Sequence, residues 1–222
     1  PEYADRIPSV AEQFTPDNHH DMVRFEIMKQ FGYFVTESSE HSSEYYPWFI
    51  KKDHPELIDR FHIPLDEYPR RCRDQIARWK QQAEHLVHNE NLTHTRSSEY
   101  AAGIIEALET GRTFGFAGNV LNTGLIDNLP FDACVEVSCM VNEGHLSPCH
   151  MGPLPNQLAA LNRRQIEVHH LTVDAALTRK KEYIYQAAML DPHAGSELTI
   201  DEIRSLVDDL IQAHGDWLPE YH

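Results

Sequence analysis

Apolar residues at helical spacing mark the first predicted element of the chain. They recur every four residues, at Val23, Ile27 and Phe31. This spacing places them on one face of a helix. Asp17 or Asn18 is the predicted N-cap, and Gly32 is the predicted end of the helix. A short β-like run, Tyr33–Thr36, follows it.

A longer apolar stripe predicts a helix near residues 70–88. Its members are separated by four, three, four and three residues: Cys72, Ile76, Trp79, Ala83 and Leu86. This spacing puts all five side chains on one face of a helix. We expect that face to be buried against the core of the protein.

The middle of the chain changes from helical to strand-like patterning. A helix is predicted over Ser97–Thr110, ended by Gly111. Strands are predicted over Thr113–Val120 and Val135–Val141. The segment 118–130 between them is rich in Gly and Asn, residues that favour turns.

The last third of the chain is predicted to be helical. Two helices are expected between Pro155 and about Leu190, hinged near Thr178–Arg179. Thr199 and Glu202 form a predicted capping box for a last helix that ends at Gly215. The predicted buried face of this helix consists of Ile203, Leu206, Val207, Leu210 and Ile211. A mostly helical chain with a few central strands predicts an α+β fold, with helices packed on a small mixed sheet.

The composition is that of a globular protein with an acidic surface. Among 222 residues, 19 are Lys or Arg and 35 are Asp or Glu, which gives a net charge of −16. Such a charge repels phosphate backbones and anionic lipids, so we expect no nucleic-acid or membrane partner. No run of 18 apolar residues is present. The four cysteines are too few for a disulfide scaffold, and we expect a reduced, cytoplasmic protein.

The sequence lacks the common fingerprints for nucleotide binding and serine nucleophiles. GxGxxG, GxxxxGK[ST] and GxSxG do not occur in it. The metal candidates are also poor, because Cys149 and His150 are adjacent and neighbouring side chains do not easily chelate one ion. His169 and His170 would point about 100° apart on a helix. We therefore expect no metal ligands in this chain.

The segment from Thr36 to Phe49 combines carboxylates, hydroxyls, an imidazole and aromatic rings. Carboxylates and hydroxyls bond to sugar hydroxyls, and the ring of Trp48 can stack on the CH groups of a sugar. Glu40, His41 or Tyr45 could serve as a general base. The alternative interpretation is a polar surface loop anchored by its Pro-Trp pair.

The Gly- and Asn-rich segment 118–130 is a second candidate for sugar binding. An Asn side chain both donates and accepts hydrogen bonds, which suits substrate hydroxyls. The same residues suit turns, so a purely structural turn is the alternative interpretation.

Three stretches together resemble one protein family. They read Phe31-Gly-Tyr-Phe-Val-Thr-Glu-Ser-Ser-Glu-His41, Asn122-x-Gly-x-Ile-x-Asn-Leu-Pro130 and His214-Gly-Asp-Trp-Leu-Pro219. On these motifs, nearly the whole chain is similar to the C-terminal part of glycoside hydrolase family 4, in its branch of melibiose-type α-galactosidases. The resemblance implies a fold like the C-terminal domain of lactate and malate dehydrogenases. It also implies one substrate-binding and oligomerisation domain over residues 1–222, with the N-terminal Rossmann domain outside this chain.

The resemblance implies an oxidation-elimination mechanism, an exception to the usual two-carboxylate hydrolysis of glycosides. In the family, bound NAD⁺ oxidises the C3 hydroxyl of the sugar, and the ketone together with a divalent metal, usually Mn²⁺, acidifies the C2 proton. A base removes that proton, the glycosidic oxygen leaves, water adds, and the hydride returns. The NAD fingerprint and the Cys and His metal ligands lie in the N-terminal half of family members. We therefore expect this chain alone to bind neither NAD nor Mn²⁺ and to be inactive.

Site residues follow from the resemblance residue by residue. The family's base comes just after the Phe-Gly-Tyr stretch, and an ungapped count reaches Ser38, which is a poor base. The base candidates are therefore its neighbours Glu37, Glu40, His41 and Tyr45. The implied sugar-binding residues are Ser38, Ser39, Glu44, Trp48, Asn119, Asn122 and Asn128. The helices from residue 155 onward are expected to be scaffold and to take part in a homo-oligomer, a dimer or a tetramer.

Two other functions remain open at this point. One is a non-catalytic carbohydrate-binding or assembly module derived from such an enzyme. The other is a different sugar specificity in the same family, an α-glucoside or an α-galacturonide in place of the small-molecule α-galactoside. A 6-phospho-sugar is less favoured, because no Lys or Arg lies between Thr36 and Ile50 to meet a phosphate.

Overall fold

The computed structural model describes residues 20–89 and 99–222, together with residues 91, 93, 95 and 97. The predicted caps Asp17 and Asn18 lie outside the described residues. The chain divides into two compact units. The first unit contains the described residues up to Ile63, with Ala117–Cys139 and Pro148–His222, and the second contains Pro64–Phe116 and Met140–Ser147. The prediction of one domain over residues 1–222 stays a prediction.

Helices dominate the described residues. In chain order the elements are α1 (Met22–Phe31), α2 (Ser39–Tyr45), α3 (Glu56–Phe61), α4 (Glu67–His88), α5 (Ala101–Thr110), β1 (Phe114–Leu121), β2 (Cys134–Asn142), β3 (His145–Pro148), α6 (Asn156–Thr178), α7 (Lys181–Leu190), α8 (Ala194–Glu197) and α9 (Ile200–His214), with a 3₁₀ turn at Gly215–Trp217. Within the part of the chain that is described, no helix is both long and apolar enough to cross a membrane.

The first helix, α1, packs and ends largely as its pattern predicts. Val23 and Ile27 are buried in one cluster with Phe49, Phe61 and Ile63. The helix ends at Gly32, whose φ of 81° and N–H bond to the Met28 carbonyl close the last turn.

The predicted strand at Tyr33–Thr36 is wrong, because this segment is irregular. Two of its carbonyl groups accept hydrogen bonds from a side chain and not from a neighbouring strand. Arg24 Nε donates to the Val35 carbonyl at 2.9 Å, and Arg24 also donates to the Thr36 carbonyl at 3.5 Å. An arginine that satisfies backbone carbonyls removes the need for a sheet partner.

The sheet has three strands in the order β1-β2-β3. Strands that are consecutive in the chain are neighbours in the sheet, and the sheet is antiparallel, not mixed as predicted. Alternate residues of β2 are buried, at Val135, Val137, Cys139 and Val141. The α+β prediction is confirmed. Strand β3 was not predicted, because its four residues, His145–Pro148, are all exposed and too few to show a strand pattern.

The long helix α4 forms where it is predicted, but its predicted burial is wrong. Ile76 is 58% exposed, Trp79 is 70% exposed and Leu86 is 49% exposed, and no residue of α4 is buried. The helical spacing of these residues is therefore right. What fails is the inference that this face of α4 is buried.

The C-terminal helices follow the predicted pattern closely. Helices α6 and α7 are separated at Arg179, whose φ is 62°, which is the predicted hinge. The capping box is confirmed, since Thr199 accepts a bond from the Glu202 N–H and Glu202 bonds back to the Thr199 N–H. Ile203 and Val207 are buried, whereas the predicted core residues Leu206 and Leu210 are exposed.

Candidate active site

The polar segment forms a short helix, α2, and not a surface loop. Ser38 has an extended backbone at the N-cap, and its Oγ accepts a hydrogen bond from the His41 N–H at 3.2 Å. A serine in this position satisfies an N–H group that the first turn leaves without a partner. The helix thereby presents Glu40, His41 and Glu44 within a single turn.

His41 and Glu44 form a hydrogen-bonded pair on α2. His41 Nδ1 lies 2.9 Å from Glu44 Oε2. This hydrogen bond is the largest cause that raises the pKa of His41 above 6.5, and the charges of Glu44, Glu40 and Glu37 raise it further, against partial desolvation. A carboxylate that accepts the Nδ1 proton leaves Nε2 free to accept another proton, which is the arrangement of a general base.

The phenol of Tyr45 and the carboxylate of Glu37 are placed less well for that role. Burial is the main cause that raises the pKa of Tyr45 above 10, and the charges of Glu37 and Glu44 add to it. A raised pKa keeps the phenol protonated, and a protonated phenol cannot act as a base. Glu37 accepts a hydrogen bond from the Ser38 N–H at 2.8 Å, which ties it to the backbone.

Glu40, His41 and Glu44 also form a cluster of potential metal ligands. One ligand atom of each lies within 4.8 Å of the others. Two carboxylates and an imidazole suit a divalent ion such as Mn²⁺. Exposed acidic groups are common without a metal, so the absence of metal ligands in this chain stays a prediction.

Two of the predicted sugar-binding residues, Ser39 and Trp48, contact side chains or backbone groups around α2. Ser39 is buried, and its Oγ accepts a hydrogen bond from the Arg24 N–H at 3.3 Å, which joins α2 to α1. Trp48 stacks on Phe31 and on Tyr46, each with ring centroids 5.3 Å apart. An indole with two aromatic neighbours stabilises the fold around α2, whether or not a sugar also reaches it.

The three predicted asparagines occupy different environments. Asn122 is fully buried, and its amide donates to the carbonyls of three loop residues and accepts from the Ile126 N–H. Asn128 bonds to both backbone groups of Leu154, and Asn119 is exposed on β1. The segment 118–130 is therefore held by its asparagines as a structural loop. Asn122 has no exposed atom to offer a sugar.

A cavity of about 470 Å³ in the first unit lies next to both ends of α2. Thr36, before the helix, and Tyr46, after it, line this cavity, together with many aliphatic side chains from Ile27 to Ile166. The polar groups on its wall include Glu136, Asn162, Gln165 and His169. Gln165 also donates to the Tyr45 carbonyl at 3.3 Å, so α6 holds the end of α2.

A family model described as the family 4 glycosyl hydrolase C-terminal domain matches residues 1–194. The chain belongs to family 4 of the glycosyl hydrolases. It is similar to an α-galactosidase of Bacillus subtilis (strain 168), with 59% identity over 211 residues that make up 95% of this chain and 49% of that protein. An α-galactosidase of Rhizobium meliloti (strain 1021) is 30% identical over 98% of this chain and 46% of that protein. The family 4 chain thus spans about half the length of the curated relatives it matches.

Solved structures whose descriptions name glucosidases share the fold of this family 4 chain. A Bacillus subtilis protein described as a glucosidase matches with a TM-score of 0.76 and 20% identity, over 94% of this chain and 49% of that one. A 6-phospho-α-glucosidase from gut microorganisms, solved with NAD and Mn²⁺, matches with a TM-score of 0.64 and 20% identity, over 98% of this chain and 51% of that one. The predicted family resemblance is confirmed.

Sequence reasoning missed the polar residues that line the cavity. Asn162, Gln165 and His169 lie three and four residues apart on α6, so they share one face of that helix. This spacing was available in the sequence of the family 4 chain. It was overlooked because His169 was considered only with its neighbour His170 as a metal ligand.

Proposed function

We propose that this chain is the part of an NAD- and Mn²⁺-dependent α-galactosidase that binds the substrate and supplies its general base. The similarity to an α-galactosidase at 59% identity supports the choice of substrate. The observation that carries the base assignment is the 2.9 Å contact between His41 Nδ1 and Glu44 Oε2. A carboxylate orients the His41 ring at Nδ1 and leaves Nε2 available to take a proton, which favours His41 as the base.

His41 is the proposed base, and Glu44 is the residue that positions it. With its Nδ1 proton directed to Glu44, the ring takes a proton from the sugar at Nε2. The imidazolium that results is stabilised by the Glu44 carboxylate, and the carboxylates of Glu37 and Glu40 add to the negative potential around it. This role of His41 requires no rearrangement of α2.

Neither cofactor is assigned to residues of this chain. The Glu44 carboxylate already accepts the His41 proton, so we expect the Mn²⁺ ligands, as the family resemblance implies, outside these 222 residues. NAD has no glycine-rich turn here to receive its pyrophosphate, so the residues of this chain do not fit a dinucleotide site. We expect the dinucleotide to be bound outside the 222 residues.

The charge of α2 favours an uncharged sugar. The negative charges of Glu37, Glu40 and Glu44 act on His41, and Arg24 of α1 is paired with Asp21 at 3.0 Å. A negative potential of this kind repels the carboxylate of a galacturonide and the phosphate of a 6-phospho-sugar. An α-galactoside carries neither group.

Hydrolysis of an aryl α-galactoside with NAD⁺, Mn²⁺ and a reductant tests the proposal. We expect activity from a chain extended N-terminally to the length of its relatives and none from the 222 residues alone. In the extended chain, His41→Gln should lower kcat by about 10²- to 10⁴-fold, the usual contribution of a general base. His54→Gln is the matched control, because His54 forms a similar exposed pair with Glu56 at 3.1 Å. Full activity of the His41 variant would overturn the base assignment.

The pH profile separates a base from a structural residue. Because neutral His41 is the active form, the rate should rise with pH through its raised pKa. Glu44→Gln removes the main cause of the raised His41 pKa. The ascending limb of the rate profile should therefore move to lower pH, and the NMR titration of His41 should move with it. If a galactoside binds without turnover in the extended chain, the carbohydrate-binding module becomes the better interpretation.

A further inference from the structure

Helix α2 carries the proposed base, but its own bonds are too few to fix where it lies. It has seven residues, and a helix of that length is marginal in water without tertiary contacts. Its end is held by Gln165 of α6, which donates to the Tyr45 carbonyl. Its start is held by Arg24 of α1, whose backbone N–H donates to Ser39 Oγ at 3.3 Å. The position of the base therefore depends on residues outside α2.

The guanidinium group of Arg24 holds the irregular segment that leads into α2. Its Nε donates to the Val35 carbonyl at 2.9 Å, and its Nη2 donates to the Thr36 carbonyl at 3.5 Å. Its Nη1 donates to Asp21 Oδ1 at 3.0 Å, and its central carbon lies 4.1 Å from the centroid of the Phe34 ring. The planar fork of an arginine makes all these contacts at once, whereas a lysine has a single nitrogen.

The segment that Arg24 holds is also part of the cavity wall. Phe34, Val35 and Thr36 line the cavity of about 470 Å³, and Thr36 lies two residues before Ser38, the N-cap of α2. The Arg24 side chain is only 19% exposed and is paired with Asp21, so it is placed to hold the backbone and not to bind a charged ligand. Loss of its fork would free the wall and the start of α2 together.

We propose that Arg24 is a positioning residue for the reaction, because it holds α2 and its base where proton transfer from the sugar requires them. This role rests on the proposed function, in which His41 takes the proton. A displacement of about 1 Å can lower the rate of a catalysed step about 10²-fold. Arg24 acts through α2 and not by contact with the substrate.

The kinetics of Arg24→Lys in the N-terminally extended chain test the proposal. The lysine keeps the charge beside Asp21 but cannot bind both carbonyls as the fork does. We expect kcat to fall by about 10- to 100-fold while KM changes less than about threefold. Arg60→Lys is the matched control, since Arg60 also lies over a ring, that of Phe61 at 4.9 Å, but donates no hydrogen bond to another described residue. Unchanged kcat for Arg24→Lys, or an equal loss for Arg60→Lys, would overturn the proposal.

A double variant shows whether Arg24 acts through the base. When Arg24→Lys is added to His41→Gln, kcat should fall by less than about a further threefold, because displacing α2 costs little once its base is gone. A merely structural role would lower kcat by the same factor with and without His41. That result would contradict the proposal.

Amide hydrogen exchange in the same extended chains does not depend on activity. Arg24→Lys should speed the exchange of the α2 amides about tenfold or more, among them the Ser42 N–H, which donates to the Ser38 carbonyl at 2.9 Å. The Ile203 N–H of α9, which donates to the Thr199 carbonyl at 2.9 Å, should exchange as in the parent chain. Unchanged exchange in α2 would overturn the proposal. An inactive parent chain would contradict the proposed function, and exchange in α2 would still decide whether Arg24 holds that helix.

Discussion

Helices α4 and α9 have equally clear apolar stripes and opposite environments. Ile203 and Val207 of α9 are 3% and 5% exposed, whereas Ile76 and Trp79 of α4 are 58% and 70% exposed. Helix α9 packs on α7 and α8, and no residue of α4 is buried. An apolar stripe thus predicts that a face of a helix needs cover. It does not say whether the same chain provides it.

The largest difference between the two helices should come from truncating one isoleucine in each. Ile203→Ala removes a buried side chain and should lower the free energy of unfolding by about 2–5 kcal/mol. Ile76→Ala removes an exposed one and should change it by no more than about 0.5 kcal/mol. Urea unfolding measures both losses. Equal losses would mean that the Ile76 side chain is buried in the folded chain.

A smaller difference should appear at the helix starts. Thr199→Ala removes the cap of α9 and should cost about 1 kcal/mol. Asp66 stands at the N-cap of α4 with a φ of 55° and no cap hydrogen bond, so Asp66→Gly loses nothing and relieves the backbone. In thermal unfolding, the melting temperature of Thr199→Ala should lie below that of the parent chain. The melting temperature of Asp66→Gly should equal or exceed that of the parent chain. A lower value for Asp66→Gly would mean that Asp66 caps α4 after all.

The smallest difference concerns surface charge. Asp208 of α9 accepts bonds from Lys181 at 2.7 Å and from Tyr185, and the Lys181 bond is the main cause that lowers the pKa of Asp208 below 3.8. Its stabilisation should be present above pH 3.8 and be lost as the pH falls through the lowered pKa. Asp208→Asn should therefore lower stability at pH 7 and flatten the acid limb of the stability curve.

Asp74→Asn on α4 is the control for that measurement. Asp74 pairs with Arg70 inside the same helix, so its loss breaks no contact between helices. If both variants change the acid limb equally, the bond between α9 and α7 is not the source of the effect.

Local sequence patterns predicted where the helices of this chain begin and end better than they predicted which residues pack around them. The capping box of α9, the hinge at Arg179 and the stop at Gly32 were all correct, because each depends on a few neighbouring residues. The Tyr33–Thr36 strand failed because Arg24, nine residues or more away, binds its carbonyls. Contacts between distant residues of this kind leave no periodic pattern.

In the candidate site, too, the sequence predicted the local features better than the contacts between distant residues. The segment that contains Glu40, His41 and Glu44 was found from its composition, and their short helix brings them together because they lie within one turn. In the polar wall of the cavity, Glu136 of β2 joins the α6 residues only in the folded chain, whereas the spacing of Asn162, Gln165 and His169 along α6 was visible in the sequence and was overlooked.

Asn122 has a consequence for the chemical ageing of the protein. Deamidation of an asparagine begins when the next backbone nitrogen attacks the side-chain amide. Here that nitrogen, of Thr123, is hydrogen-bonded to the Phe131 carbonyl at 3.0 Å, and the amide is fully buried. A carboxylate in its place would face the carbonyl oxygens of Ile126, Leu129 and Pro130 without a proton to share. The same bonds that hold this loop in shape therefore protect it from a modification that would remove the donor to these three carbonyls.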